Sequence, residues 1–367
     1  MLASVNGLRF VAASHVMLEH TLRARLLPEP VLDALGAGYT SATLLLVLSG
    51  FVLVYVYSGP AGEMTVPRRV FWTARLSRIY PLLVVSQLLV LPVWLSTHGW
   101  AETRVPLVVG LSGMQAWFPT FAHVLNTPAW AVSVLLLGYA AFPWLLGALR
   151  RIPTRGLAAA AAVLWAVSVL PGALMPHPPE ALQAFMHSFP LLRIPEFLIG
   201  MVAARWFLAR GPLGGRAAGW AVAGALGGWA VILALVGQVP RAVMHNGLPA
   251  PLFVVLLVGL ASGGGGVVAR LLASAPMRRL GDAALAIFLL HLPVIAWVES
   301  MGWYPGPTTA ASAAVYAGYL AGVLLLSLLA MERFVAPVSA WIRRAAAADS
   351  RATRMGGGRA PGSPTAG

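Results

Sequence analysis

Long apolar runs separated by short polar connectors dominate the chain. They fall at about 4–22, 37–57, 78–96, 105–117, 128–149, 156–174, 189–208, 217–237, 248–268, 282–300 and 309–331, eleven segments in all. Most reach the ~20 residues that a helix needs to cross a bilayer core, so the pattern predicts an all-α polytopic membrane protein. Four connectors carry arginine clusters: Arg68, Arg69, Arg75 and Arg78; Arg150, Arg151 and Arg155; Arg205, Arg210 and Arg216; and Arg270, Arg278 and Arg279. Positive charge gathers on cytoplasmic loops, which places all four inside. Parity then constrains the count. The segment after Arg78 leaves the cytoplasm and the one ending at Arg150 returns to it, so the piece between them, at 105–117, is not a further crossing. It is also too short to span and reads as a re-entrant or half-buried element. The expectation is about ten transmembrane helices plus one short re-entrant or half-buried segment, with both termini cytoplasmic. Arg23 and Arg25 run against this scheme, on the outer side after the first helix.

The first run holds Arg9, His15, Glu19 and His20, and no small-residue cleavage site follows it, so it stays as the first helix and is not a signal peptide. From 345 to 367 large apolar residues are almost lacking. That stretch reads as a disordered cytoplasmic tail, and 1–344 as one membrane domain. Composition narrows the class further. Only 10% of residues are charged and 59% are hydrophobic, with a mean hydropathy of +0.80, against about a quarter charged in a soluble domain. A soluble enzyme, a disordered protein and a disulfide scaffold are excluded. The net charge of +14 comes from arginine alone. It lies in short loops, where it sets orientation, and not on a soluble basic face, so nucleic acid is not an expected partner. Zero cysteine removes thiol nucleophiles, iron–sulfur clusters and Cys-based zinc sites. No metal site is predicted.

Ionisable groups inside spans are expensive, and each one is a site hypothesis. Arg9 and His20 are eleven residues apart, roughly 1,100° of helical rotation and within about 20° of three full turns. They share one face of the first helix, some 16 Å apart along its axis. His15 lies roughly 240° round from Arg9 and off that stripe. In "PRRVFWTARLSRIYP" Arg75 and Arg78 project together, with Arg68 two turns away on the same side. Such a fork suits phosphate, although orientation alone also accounts for arginines here. Gln115, His123, Asn126 and Trp130 flank the half-buried segment, where polar groups must face protein or a watery cavity. Glu196 is either a structural charge beside Arg193 or a site acid, and His291 either a core or a site histidine. Asp282, after Gly281, reads as a helix N-cap. The glycines at 263–266 lack the Lys-Ser/Thr of a phosphate loop.

Taken in order, these pieces resemble the acyltransferase-3 family of bacterial integral-membrane O-acyltransferases over about 6–342. The matching stretches are "NGLRFVAASHVMLEH", "VLSGFVL", "ARLSRIYPL", "LSGMQAWFP", "NTPAWAVSV", "RIPEFLIGM", "LGDAALAIFLLHLPV" and "MERFVAPVSAWIRR". The resemblance implies a multi-pass protein of the bacterial inner membrane. It would transfer an acyl group, often acetyl, from acyl-CoA as donor substrate to a hydroxyl of a glycan, lipid-linked saccharide or secondary metabolite. It also implies that Arg9 and His20 are the catalytic pair, that Arg75 and Arg78 hold the CoA phosphates, and that no cofactor is permanently bound; Arg68 joins the phosphate-binding candidates through its place on the same helix face. Gln115, Asn126, Trp130, Glu196 and His291 are the candidate substrate-binding residues. An imidazole suits the general base that an attacking hydroxyl needs.

Two departures stand out. Relatives usually read "WSLSVE" where this chain has "WAVSVL", so Leu135 replaces a glutamate. They also commonly carry Ser-Tyr and a further Tyr where Ala284, Leu285 and Phe288 stand here. The missing glutamate keeps open a catalytically altered member acting as an acyl conduit or scaffold. A secondary transporter is a third reading, for which Glu196 is the available coupling acid.

Overall fold

The computed structural model of the chain describes residues 2–22, 27–303 and 310–356. Arg23 and Arg25 lie outside the described residues. Within those residues the fold is helical, and β pairing amounts to an isolated bridge between Ser58 and Met64. The helices are α1 (Ala3–Thr21), α2 (Glu29–Gly36), α3 (Tyr39–Tyr57), α4 (Arg68–Ser112), α5 (Trp130–Leu149), α6 (Thr154–Leu174), α7 (Glu180–Ser188) and α8 (Pro190–Arg210). They continue with α9 (Gly215–Ala234), α10 (Arg241–His245), α11 (Ala250–Ala261), α12 (Gly266–Leu272), α13 (Ala275–Asp282), α14 (Ala284–Ser300), α15 (Ala310–Leu329) and α16 (Ala336–Gly356). Short 3-10 turns at Gln115–Trp117 and Thr127–Ala129 connect α4 to α5.

Every apolar segment read from the sequence falls on helix. By length and apolarity, seven helical stretches among the described residues can cross a membrane, or eight if the bent pair α13–α14 is one span. This is short of ten because α1 and α8 do not qualify: Arg9 and Glu19 interrupt the first, and Arg193, Glu196 and Arg205 the second.

The segment at 105–117 is not a separate element. As far as Ser112 it is the distal arm of α4, whose backbone breaks at Gly99 with φ 68° and ψ 173°, a conformation open to glycine, and its last residues form the 3-10 turn Gln115–Trp117. Past the break the arm folds back along its own first half, with Gly110 against Gln87 and Gly113 against Leu83. Gly113, at φ 74°, ends it in a left-handed cap.

Glycines set how closely the central helices approach. Gly50 of α3 faces the backbone of Phe197, and Gly200 of α8 faces that of Val47; a methyl group at either would run into a carbonyl oxygen. Such small-residue seams let helices associate by close packing where no water is available to drive them together. Gly7 and Gly281 do the same where α1 meets the backbone of Leu272 and α13 meets that of Asn6. The last helix runs to Gly356, into the stretch expected to be disordered. Its alanine-rich sequence has the highest helix propensity available, which the scarcity of apolar bulk concealed.

Candidate active site

The seam between α1 and α13 places Arg9 in a cavity shared with Arg75 and Arg78 of α4. A hydrogen-bonded chain ties these helices together. Asn6, one turn before Arg9, accepts a hydrogen bond from Arg9 Nη1 at 3.3 Å. Its own Nδ2 donates to the Arg278 carbonyl at 2.9 Å and to Asp282 Oδ1 at 3.1 Å. Arg78 Nη2 reaches the Asp282 carbonyl at 3.3 Å and its carboxylate at 4.0 Å. Asp282 is therefore no N-cap: it closes α13 at a 64° bend before α14, and its carboxylate meets a neighbouring amide and guanidinium. Arg75 Nη2 donates to the Tyr57 hydroxyl at 2.9 Å, with its guanidinium over the same ring. Arg68 stands apart, its guanidinium 5.1 Å from the Trp144 ring centroid, and is not among the cavity-lining residues.

The rest of the lining is mostly apolar, with Leu45, Leu46, Ile79, Val132, Leu135 and Leu285 among its residues. The four positions at which the sequence departs from the family, Leu135, Ala284, Leu285 and Phe288, all line this one cavity. Asp282 is the carboxylate on its lining among the described residues.

At the other end of α1, His20 Nδ1 lies 3.1 Å from His291 Nε2, the two rings stacked with centroids 5.1 Å apart. His291 is fully buried. Asn126, also fully buried, donates to the Leu289 carbonyl at 2.9 Å, two residues before His291. It follows Leu125, whose φ of 64° is strained for a non-glycine residue. His15 is off this axis, as its spacing implies, and bonds Ser41 Oγ and the Ala34 carbonyl at 2.8 Å each.

Beside the His20 end lies a polar cluster of which the sequence anticipated only the Arg193–Glu196 pair. Arg193 and Glu196, both fully buried, form an ion pair at 3.0 Å. Arg193 also donates to the His245 carbonyl, to Asn246 Oδ1 at 3.1 Å and to Thr43 Oγ1 at 3.4 Å, and its guanidinium lies over Trp130. His187 bonds His245 between their Nδ1 atoms at 2.9 Å and meets Trp130 edge-on. Burial, reinforced by His245 and Arg193, holds the His187 pKa well below 6.5, and burial also lowers that of His123. Gln115 donates to the Ala129 carbonyl, bracing the turn before α5, and is not on the cavity lining. Thus Arg9, Arg75 and Arg78 converge, His20 and His291 converge, and Trp130 and Glu196 converge on Arg193. The residues missed in the sequence are Asn6, Tyr57, His187 and His245. Only Asn6 left a local signal, one turn from Arg9. Among the described residues no three His, Asp or Glu side chains gather to hold a metal ion.

An acyltransferase domain family matches residues 2–332, a range that takes in both ends of α1 and the whole cavity. The chain belongs to this acyltransferase-3 family. It is 29% identical over 328 residues to acyltransferase MdmB of Streptomyces mycarofaciens, covering 81% of this chain and 79% of that relative. No solved structure matches it. As an acyltransferase-3 protein the chain is an acyltransferase, and its likeness extends over the charge-bearing helices α1 and α8.

Proposed function

We propose that this acyltransferase moves an acyl group, acetyl in the simplest case, from acyl-CoA to a hydroxyl of a glycan, lipid-linked saccharide or secondary metabolite. One observation carries the reading: Arg9, Arg75 and Arg78 converge on a single cavity whose remaining lining is mostly apolar. Guanidinium groups pair with phosphate oxygens through two parallel hydrogen bonds and stay charged, while an apolar wall accepts the aliphatic part of the donor. His20 supplies the base. The acceptor oxygen attacks the thioester carbonyl as its proton passes to His20, the carbon–sulfur bond breaks, and the thiolate of CoA recovers the proton. No covalent enzyme intermediate is needed.

Eight apolar spans, with the bent pair α13–α14 counted as one, make ten crossings once α1 and α8 are added. The arginine-rich ends then face the cytoplasm, where acyl-CoA is found, in a bacterial inner membrane. Leu135 on the cavity wall favours a second reading, a conduit without catalysis.

Purified protein in lipid nanodiscs with labelled acetyl-CoA distinguishes the two. Transfer to a supplied hydroxyl acceptor or to water supports the enzyme. His20→Ala should abolish turnover with insertion unchanged, and Arg75→Ala with Arg78→Ala should raise the KM for the donor. Retained turnover in the first variant, or an unchanged KM in the second, overturns the assignment.

A further inference from the structure

Two hydrogen bonds around His291 decide which nitrogen of His20 carries a proton. His291 Nδ1 is 3.1 Å from the Ile287 carbonyl, one turn back on α14. A carbonyl only accepts, so Nδ1 is the protonated nitrogen. The His291 ring is fully buried, and its polar partners are this carbonyl, the neighbouring Phe288 carbonyl, which also only accepts, and the ring of His20. With no anion to compensate a buried charge, it is a neutral ring with one N–H. Its Nε2 is therefore a bare acceptor, and the group facing it at 3.1 Å, His20 Nδ1, must donate. Neutral His20 is left with its lone pair on Nε2.

The α14 turn that carries His291 is held from two further sides. Tyr319 Oη donates to the His291 carbonyl at 3.1 Å, and Asn126 Nδ2 to the Leu289 carbonyl at 2.9 Å. Five other titratable or charged groups act on His20 or lie next to it, and the Val16 carbonyl, one turn back on α1, accepts from its ring. Arg241 is paired with Glu19 at 2.9 Å, and His123 and His245 act through space. Beside it Thr21 bonds the Tyr316 hydroxyl at 3.0 Å.

We infer that His291 is a positioning residue that locks His20 in its Nδ1–H tautomer and so presents Nε2 as the base. The inference rests on the proposed role of His20. In the transfer step the acceptor O–H proton goes to His20 Nε2 as the new carbon–oxygen bond forms and the carbon–sulfur bond breaks. The resulting imidazolium keeps its Nδ1–H on His291 Nε2, then returns the Nε2 proton to the departing thiolate. His291 touches neither substrate in this step. It acts through His20, as a hydrogen-bond partner on the far nitrogen fixes the tautomer of any working histidine.

Nitrogen-15 NMR of the full-length protein in nanodiscs, labelled at histidine, reads the tautomer directly, with the His20 signals identified by their loss in His20→Ala. The expected spectrum has His20 protonated on Nδ1 and bare on Nε2. His291→Leu removes the acceptor and should shift His20 toward the Nε2–H form, with kcat falling on the order of 10²-fold at unchanged donor KM. His291→Gln, whose side-chain carbonyl accepts the same hydrogen bond, should restore most of the rate and the original tautomer. An Nε2–H signal for His20 in the unaltered protein overturns the inference whether or not any variant folds, as does full turnover in His291→Leu. Retained transfer in His20→Ala instead overturns the proposed role of His20, and the tautomer is still read from the unaltered protein.

Discussion

The Arg193–Glu196 pair offers a sharp energetic test, because both side chains are fully buried and the contact is 3.0 Å. At that separation, with an effective dielectric constant of about 20, the attraction is about 5–6 kcal/mol. Glu196→Gln keeps the shape but forfeits most of that attraction and strands a guanidinium away from water, which should cost about 3–5 kcal/mol. Arg193→Met strands the carboxylate and also frees the His245 carbonyl, Asn246 Oδ1 and Thr43 Oγ1, so it should cost at least as much. The double variant has no stranded charge. It loses the hydrogen bonds of Arg193 but not a second electrostatic penalty, and should be more stable than the sum of the singles by about 3 kcal/mol or more. Reversible unfolding in mixed micelles, followed by tryptophan fluorescence, gives the four free energies. Additivity within about 0.5 kcal/mol would show that the two groups do not act as a pair and would refute the reasoning.

Two further outcomes follow from other parts of the molecule. His187 lies on α7, a helix of nine residues that is too short to span a bilayer, and its pKa is held well below 6.5 by burial first and by His245 and Arg193 next. Below about pH 6.5 the unfolded chain binds a proton there that the folded one does not. Stability is therefore full above that pH and falls as pH drops, by up to about 1.4 kcal/mol per unit for this one group. Thermal unfolding at pH 7.5 and 5.5 should show a drop that His187→Gln reduces, and an equal drop in both proteins would contradict it. Gly200→Ala at the α3–α8 seam should cost about 1–3 kcal/mol through overpacking. Gly227→Ala, on α9 with nothing within 4 Å of the added methyl, should be neutral to slightly stabilising through the better helix propensity of alanine; the same unfolding measurement compares them, and equal effects would contradict the seam.

The helices were legible because apolar length is a local property: every run from 4–22 to 309–331 reappears as helix. The spacing of Arg9 and His20 was legible for the same reason, since eleven residues of one helix fix both face and distance. What escaped were features made by residues distant in sequence. Nothing near His187 points to His245, and the two meet only because α7 and α10 pack together. Asp282 after a glycine has the look of a cap, and only the bend before α14 reveals that it instead meets Asn6 and Arg78. Gly99 read as loop between two segments, whereas its positive φ makes it the hinge on which α4 doubles back. The substitutions at 135, 284, 285 and 288 looked like scattered losses. They become one coherent change, an arginine-faced cavity with a greasy wall, only when the helices are assembled.

Arg9 and His20 sit on a single unbroken helix, Ala3–Thr21, whose seam glycines Gly7 and, on α13, Gly281 pin it against its neighbours. Their separation of some 16 Å is thus a fixed gauge length. Hinged domains bring two groups together by closing; this protein has no such freedom along α1. A ligand that engages both ends must itself be extended and supple, reaching from one to the other as a thread through a rigid needle.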